Sequence, residues 1–140
     1  MRLVLDTNVV ISGLLWGGPP RQLLDLAKAN RVNLFTCTQL LAELRFALSY
    51  PKFSIRITQA QHTVDSLYKN FENLAYGIVV LGSQIPAVCR DPDDNVVLAC
   101  ADVSNAEYII TGDLDLLALR SYRTIPIVSV TDALRIVVKP

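Results

Sequence analysis

The stretch from Arg90 to Leu117 constrains the fold more than any other part of the sequence. It opens with three carboxylates within four residues, continues as an apolar helical pattern and a short β-branched run, and ends in a second acidic turn. A helix that packs antiparallel to the strand following it starts at the edge where that strand ends, so both acidic ends are expected to meet. Carboxylates crowd in this way where a hard divalent cation offsets their repulsion. The acids concerned are Asp91, Asp93, Asp94, Asp113 and Asp115.

The rest of the chain repeats this alternation of helical segments and β-branched runs. We therefore expect an α/β fold, a three-layer α/β/α sandwich with a mainly parallel sheet of about four to five strands. The expected strands are Arg2–Asp6, Val32–Cys37, Gly77–Leu81, Glu107–Thr111 and Ile125–Val130. The expected helices are Thr7–Trp16, Arg21–Asn30, Thr38–Ser49, Thr58–Leu74, Asp91–Ser104 and Thr131–Val138, with a short one after Asp113.

Length and composition predict one domain, spanning residues 1–140, with a helical insertion or clamp at about 50–75. The hydrophobic fraction of 51% and charged fraction of 19% are typical of a packed globular chain. No apolar run approaches the ~20 residues of a membrane span. The carboxylate at Asp6 also argues against a signal peptide, so we expect a cytoplasmic location. The three cysteines are widely spaced and form no CxxC, which favours reduced thiols over disulfides or zinc ligands.

The formal net charge of zero conceals a segregation of charge. Seven of the 13 acids fall in the predicted site, which leaves six acids against 13 basic residues in the rest of the chain. A basic body around an acidic pocket is compatible with a polyanionic substrate and metal cations, although the same Lys and Arg residues also fit an ordinary solvated surface. The seven acids are Asp6, Glu43, Asp91, Asp93, Asp94, Asp113 and Asp115.

Strand ends predict where these acids meet. Asp6 ends the first strand and Asp113 comes two residues after the fourth, so both arrive at the carboxyl edge of a parallel sheet, where such folds place their sites. Asp94 lies in the first turn of the helix leading into the fourth strand, which starts at the same edge. Glu43 lies on the shoulder of its helix's apolar face, within reach of the rim. Taken singly, each acid also has a structural explanation, such as an N-cap at Asp91 before Pro92.

The donor types narrow the chemistry. Oxygen-only ligands suit Mg²⁺ or Mn²⁺, whereas zinc favours His and Cys. His62 is the only histidine and lies far along the chain from every predicted site residue, so no triad can be built on it. No phosphate-binding loop of the GxxxxGK or GxGxxG type is present. Metal-assisted phosphoryl chemistry is the reaction class that remains.

Four motifs together resemble the PIN-domain ribonucleases, and in particular the single-domain bacterial and archaeal VapC-type toxins. They are DTNVVISGL near the N-terminus, Glu43 in its helix, RDPDDNVVLACA and TGDLDLL, and the resemblance runs from Leu3 to about Val130. It implies an Mg²⁺- or Mn²⁺-dependent endoribonuclease acting on single-stranded RNA, a small antitoxin protein as partner, and a homodimer. The helical insertion becomes a candidate wall of the substrate groove, with Lys52, Arg56 and Lys69 as candidate lining residues.

The resemblance also assigns roles by position. It implies a catalytic quartet in which Asp6 and Asp94 are the central metal ligands and Asp113 and Glu43 complete the set, with Asp115 as an additional acid and candidate metal ligand. Polar positions that orient a carboxylate, water or phosphate correspond to Thr7, Asn8 and Thr111. A shift of one residue would exchange Asp94 with Asp93, so the choice between these neighbours stays open. The quartet is Asp6, Glu43, Asp94 and Asp113.

Three other functions compete with this interpretation. A haloacid-dehalogenase-like phosphatase would carry a second acid at position 8, where this chain has Asn8. A receiver domain would carry paired acids after the first strand and a lysine after the last, and neither is present. The third alternative is a regulatory module that binds RNA or protein through an acidic Mg²⁺ pocket without cutting.

Overall fold

The computed structural model describes residues 1–83 and 85–138. Within these residues a six-stranded sheet has the order β3-β2-β1-β4-β6-β5, and all neighbours are parallel except β5 and β6. The parallel α/β prediction is confirmed, with one strand more than expected. The strands are β1 Arg2–Leu5, β2 Asn33–Cys37, β3 Gly77–Val79, β4 Tyr108–Ile110, β5 Ser121–Tyr122 and β6 Ile125–Val128.

Helices cover both faces of this sheet. Strand β1 shows how, because Leu3 and Leu5 point into one apolar core while Val4 points into the other. The first core packs α1 to α5 and α8 against the sheet, and the second packs α6, α7 and Leu40 of α3. A strand buried on both faces is the mark of a three-layer sandwich. The helices are α1 Thr7–Leu15, α2 Pro19–Lys28, α3 Thr38–Leu48, α4 Pro51–Gln59, α5 Val64–Leu74, α6 Pro92–Val103, α7 Leu114–Leu119 and α8 Val130–Val138.

The prediction of one long helix over Thr58–Leu74 is wrong, because two helices occupy this region. Pro51 starts α4 at its first turn, and the chain then turns at Gln61, whose φ is 60°. Thr63, not Thr58, caps α5, through a reciprocal capping box with Ser66. His62 therefore lies in the connection between the helices and not in a helix, with its Nδ1 3.1 Å from the Ser66 hydroxyl oxygen.

The additional strand β5 forms a short hairpin with β6. The two turn residues, Arg123 and Thr124, both have positive φ (46° and 67°). Such turns are usually signalled by Asn-Gly or similar pairs, and Arg-Thr carries no such signal. The hairpin was therefore missed by inspection of the sequence.

The centre of the sheet determines where the acids go. Strand β1 lies between β2 and β4, and Leu5 is in register with Ile110. Beyond this pair the Asp6 backbone N–H still donates to the Ile110 carbonyl oxygen at 2.9 Å. The first residues after β1 and β4 are thus adjacent.

In the described residues, the helices are all too short or too polar to cross a membrane.

Candidate active site

Asp6 occupies the middle of the carboxyl edge. Its side chain is 8% exposed and accepts a hydrogen bond from the Thr111 hydroxyl to Oδ2 at 2.8 Å. Although Asp6 is the N-cap residue of α1, its carboxylate makes no capping bond to that helix in the described chain. Burial raises the pKa of Asp6, and the negative charges of Asp113 and Asp91 raise it further against the hydrogen bond from Thr111. The carboxylate is thus buried among other carboxylates and not used for capping.

Thr111 ties this strand end to the next acidic turn. Its fully buried hydroxyl donates to Asp6 and accepts a hydrogen bond from the Asp113 backbone N–H at 3.0 Å. Asp113 is the N-cap of α7, where its Oδ1 accepts hydrogen bonds from the backbone N–H groups of Asp115 (2.7 Å) and Leu116 (3.4 Å). One threonine hydroxyl therefore connects a carboxylate of β1 with the backbone after β4.

The acidic turn before α6 contains two different kinds of carboxylate. Asp91 is exposed and caps the helix, accepting from the Asp93 backbone N–H at 2.9 Å. Asp94 is buried, at 7% exposure, and its pKa is raised to about 6 by burial and by the charges of Asp113 and Asp6. Asp93 is exposed. The structure thus brings Asp94, and not Asp93, together with Asp6 and Asp113, while the catalytic assignment stays a prediction.

Glu43 completes the group from the α3 side. It is half-buried, and its pKa is raised to about 7 by burial and by the charge of Asp93, while a hydrogen bond with the Thr7 side chain opposes the shift. Thr7 itself is buried at the start of α1, whereas the neighbouring Asn8 is exposed. A carboxyl group with a pKa near neutrality can take up or release a proton under physiological conditions.

Asn95 is a positioning residue that the sequence interpretation missed. Its side-chain oxygen accepts from the backbone N–H groups of Val88 (3.1 Å) and Cys89 (2.8 Å), and its amide nitrogen donates to the Cys89 carbonyl at 3.3 Å. This buried amide anchors the loop before α6 to the residue next to Asp94. The signal was a polar residue inside an otherwise apolar helical pattern.

Asp115 lies at the margin of the group. It is exposed, and its Oδ1 is 4.0 Å from Nη2 of Arg90, which is also exposed. An ion pair between two exposed side chains contributes little to stability. The charge of Asp115 nevertheless raises the pKa of Asp94, so it contributes to the same electrostatic field.

The donor chemistry fits a hard divalent cation. The edge gathers carboxylate oxygens from different elements, and burial together with the charges of neighbouring carboxylates raises the pKa of Asp6 and of Asp94, as expected where no cation offsets them. Among residues 1–83 and 85–138, no three Asp, Glu, His or Cys side chains are arranged to hold one ion as they lie. The fit thus rests on donor type and charge, and Asp6, Asp94 and Asp113 remain predicted ligands whose charges meet at Asp94.

Comparisons with known proteins show the family of this chain and the likeness of its fold. A family model described as PIN domain matches residues 2–115. An uncharacterized protein from Methanocaldococcus jannaschii is 32% identical over 121 residues, which are 86% of this chain and 76% of that protein. Among solved structures, a chain of VapBC2 from Rickettsia felis, crystallised with a DNA fragment from their promoter, superposes with a TM-score of 0.56. The match covers 92% of this chain and 98% of that one at 15% identity, a likeness of fold.

Proposed function

The chain belongs to the PIN-domain family, whose members are generally metal-dependent nucleases, and on that premise we propose that it hydrolyses phosphodiester bonds of single-stranded RNA with Mg²⁺ or Mn²⁺. One observation carries the proposal. Asp6, Asp94 and Asp113 come from three separate segments to one sheet edge, where burial and then the charges of Asp113 and Asp6 raise the pKa of Asp94. Such crowding is costly unless a cation joins it.

Each acid has a distinct place in the proposed mechanism. Asp6 and Asp94 would be the central ligands of the ion, with Asp113 and the exposed Asp115 beside them. When bound, a divalent ion polarises the phosphodiester and lowers the pKa of a water molecule. Thr111 holds Asp6 in orientation through its 2.8 Å hydrogen bond. Hydrogen bonds from the second layer of a site to its ligands typically change metal affinity or activity by about 10- to 100-fold.

Glu43 would accept a proton, and the start of α1 would contact the substrate. The Glu43 carboxyl, with a pKa of about 7 and a hydrogen bond from Thr7, is suited to accept the proton of the attacking water. The exposed side-chain amide of Asn8, one residue further along α1, can donate to a phosphate oxygen. The residues of this chain would therefore supply metal ligands, a proton acceptor and a hydrogen-bond donor to the phosphate at one edge of the sheet.

The same proposal makes the protein the toxin of a toxin–antitoxin pair. The antitoxin would be a small protein that blocks the acidic edge, and the chain would act as a cytoplasmic homodimer. The resemblance of its motifs to VapC-type toxins and its fold likeness to a chain of VapBC2 support this assignment. Growth arrest on expression, relieved by the product of the neighbouring gene, is the expected result. Normal growth with active protein present would contradict the toxin assignment.

The decisive test of the chemistry is cleavage of an RNA pool by the purified protein with Mg²⁺ or Mn²⁺. Cleavage should stop in EDTA and in Asp6→Asn. The matched control is Asp102→Asn, because Asp102 lies on α6 but pairs with Arg123 at 3.1 Å. Undiminished cleavage in EDTA or in Asp6→Asn would refute the proposal. Calorimetric binding of the metal without cleavage of any RNA would favour the regulatory module instead.

A further inference from the structure

A second surface lies at the other end of α1, and we call it the Trp16 face, made of Trp16, Lys52, Phe53 and Arg56. The Trp16 side chain is 43% exposed at the C-cap of α1. Its ring packs edge-on against Phe53 of α4, with centroids 6.3 Å apart and planes at 65°. The Arg56 guanidinium lies 5.8 Å from the Trp16 ring centroid, and the Lys52 ammonium 5.1 Å from that of Phe53. Aromatic rings and cations thus alternate across this surface.

A hydrogen bond to the backbone holds α4 in place at this surface, and the backbone after Trp16 leaves space beside the indole ring. Arg56 Nε donates to the Leu15 carbonyl oxygen at 2.7 Å, which joins α4 to the last turn of α1. Gly17 and Gly18 follow Trp16, and a Cβ atom at either position would meet no atom within 4 Å. Gly18 has a φ of +95°, a backbone conformation that residues other than glycine rarely adopt. The ring therefore borders an open, side-chain-free stretch of backbone.

The charge of the Trp16 face is one-sided. The segments that supply it, residues 7–24 and 44–64, contain no Asp or Glu, although the whole chain has equal numbers of acids and bases. Within these segments the cations are Arg21, Arg45, Lys52 and Arg56. Arg45 and Lys69 both pair with Asp65 of α5, at 2.8 Å and 3.4 Å, and are partly neutralised. The Trp16 face therefore favours an anionic ligand that also presents flat rings.

Single-stranded nucleic acid has both properties, since its phosphates seek cations and every base offers a π-face. We infer that the Trp16 face binds the single-stranded RNA substrate away from the scissile bond. One base stacks on Trp16 while neighbouring phosphates meet Lys52 and Arg56. The inference rests on the proposed function. Asp6 and Trp16 bound α1 at opposite ends, about 15 Å apart at 1.5 Å per residue, so a strand of a few nucleotides reaches both.

The sequence provides the probe, because Trp16 is the one tryptophan of the chain. A single-stranded RNA of about twelve nucleotides is titrated at low salt into the Asp94→Asn protein, which should not cleave it. We expect saturable quenching of Trp16 fluorescence. Lys52→Glu in the same background should weaken binding about tenfold, whereas Lys28→Glu, the same charge change at an exposed lysine on α2, should stay within about twofold.

A second variant tests the ring itself. Trp16→Leu keeps an apolar side chain and should weaken binding of labelled RNA, measured by anisotropy, about tenfold. Because this change also removes the contact with Phe53, circular dichroism must show a folded chain. If Trp16→Leu does not fold, the exposed Lys52 still decides through its comparison with Lys28.

Three results overturn the inference. RNA binding that leaves Trp16 emission unchanged is one, and equal effects of Lys52→Glu and Lys28→Glu are another. The third is a concentration-dependent blue shift of Trp16 emission without RNA, which would show that protein covers the face. Failure here with intact metal-dependent cleavage leaves the nuclease proposal standing. Quenching and a selective Lys52 effect without any cleavage would support the Trp16 face and refute the nuclease.

Discussion

Helix α1 connects two regions of opposite chemistry. At its N-terminus lies the acidic edge, formed by Asp6, Glu43, Asp94 and Asp113, where burial and neighbouring carboxylate charges raise the pKa values of Asp6, Glu43 and Asp94. At its C-cap lies the Trp16 face, where exposed and half-buried rings and cations alternate. Repulsion among the carboxylates of the acidic edge lowers the stability of the fold, and a bound cation would restore it. The Trp16 face would be stabilised by a bound anion, but its cations lower the stability of the fold little when no anion is bound.

The two regions also differ in how the fold positions them. Strand ends place the acidic edge, and the Thr111 hydroxyl joins two of those ends. Side chains of α4 place the Trp16 face, and one hydrogen bond from Arg56 joins it to α1. We therefore expect substitutions at the acidic edge to abolish function, and substitutions at the Trp16 face to weaken it by degrees.

The largest effect is expected from Asp94→Asn, which should lower the rate of RNA cleavage about a thousandfold. A bound ion lowers the activation barrier by several kcal/mol, and this variant loses one of its proposed ligands. Asp102→Asn on the same helix is the control, because Asp102 pairs with Arg123. Asp93→Asn is the comparison, since Asp93 precedes Asp94 directly but is exposed, and it should cost less than about fivefold, because its charge acts on Glu43 by at most about 1 kcal/mol. Initial rates on labelled RNA at saturating Mg²⁺ measure all three. A larger loss in Asp93→Asn would exchange the two roles.

Next in size is Thr111→Val, which keeps the shape of the side chain but removes the hydroxyl between Asp6 and Asp113. Cleavage should fall about 10- to 100-fold, and the free energy of unfolding by about 1–3 kcal/mol. Thr111→Ser keeps the hydroxyl and should behave nearly as the natural chain does. Cleavage rates and urea denaturation provide the two readouts. Identical values for the Val and Ser variants would remove Thr111 from the acidic edge.

The pH dependence of stability should distinguish the two ends of α1. Without metal, Asp94 and Glu43 titrate in the folded chain at about 6 and about 7, above their ordinary values of 3.8 and 4.5. A raised folded pKa means that the folded chain binds more protons, so stability is highest at low pH and declines as pH rises through these values. Between pH 5 and 8 we expect a loss of about 1–3 kcal/mol, allowing for solvent screening at half-exposed Glu43.

Urea denaturation in EDTA measures this slope. Asp94→Asn should flatten it, because one of the titrating groups is gone, and saturating Mg²⁺ should restore stability at pH 8. Lys52→Glu, at the Trp16 face, should leave the slope as it is. A stability that rises with pH in this range would contradict the electrostatic account of the acidic edge.

The smallest effect is expected from Arg56→Lys, which keeps the charge but removes the Nε–H bond to the Leu15 carbonyl and the planar group over Trp16. The free energy of unfolding should fall by about 1 kcal/mol, while the rate at saturating RNA should stay within about twofold. Thermal denaturation and cleavage assays measure the two quantities. A strong loss of cleavage at saturating RNA would mean that the two ends of α1 are not independent.

The sequence predicted the acidic edge because a rule of topology connects residue to place. An acid after a buried strand and an acid opening the preceding helix must meet at the carboxyl edge, and Asp6, Asp94 and Asp113 do. The sequence could not separate Asp93 from Asp94. Which of the two neighbours faces the sheet edge depends on how α6 is rotated about its axis, and the sequence does not determine that rotation. Asn95 stayed hidden for a related reason, since its partners are backbone atoms of an irregular loop.

The Trp16 face illustrates the opposite case. The sequence predicts a helical insertion at about 50–75 with Lys52 and Arg56 lining a groove, but not α4 as a separate helix, because Pro51 can end one helix as well as begin the next. Without α4, nothing connected Trp16 with side chains about forty positions later. Contacts between helix surfaces depend on packing angles, which no local pattern determines.

The hydrogen bond between Thr111 and Asp6 joins residues 105 positions apart, and this separation has a consequence for the timing of synthesis. A nascent chain that has grown only to Arg90 contains Asp6 and Glu43, but none of the acids that approach them from α6 and α7. The acidic edge cannot assemble until nearly the whole domain has left the ribosome. Any capacity to cut RNA would therefore arise in one step, late in synthesis, and an incomplete chain beside the translated message would be harmless to it.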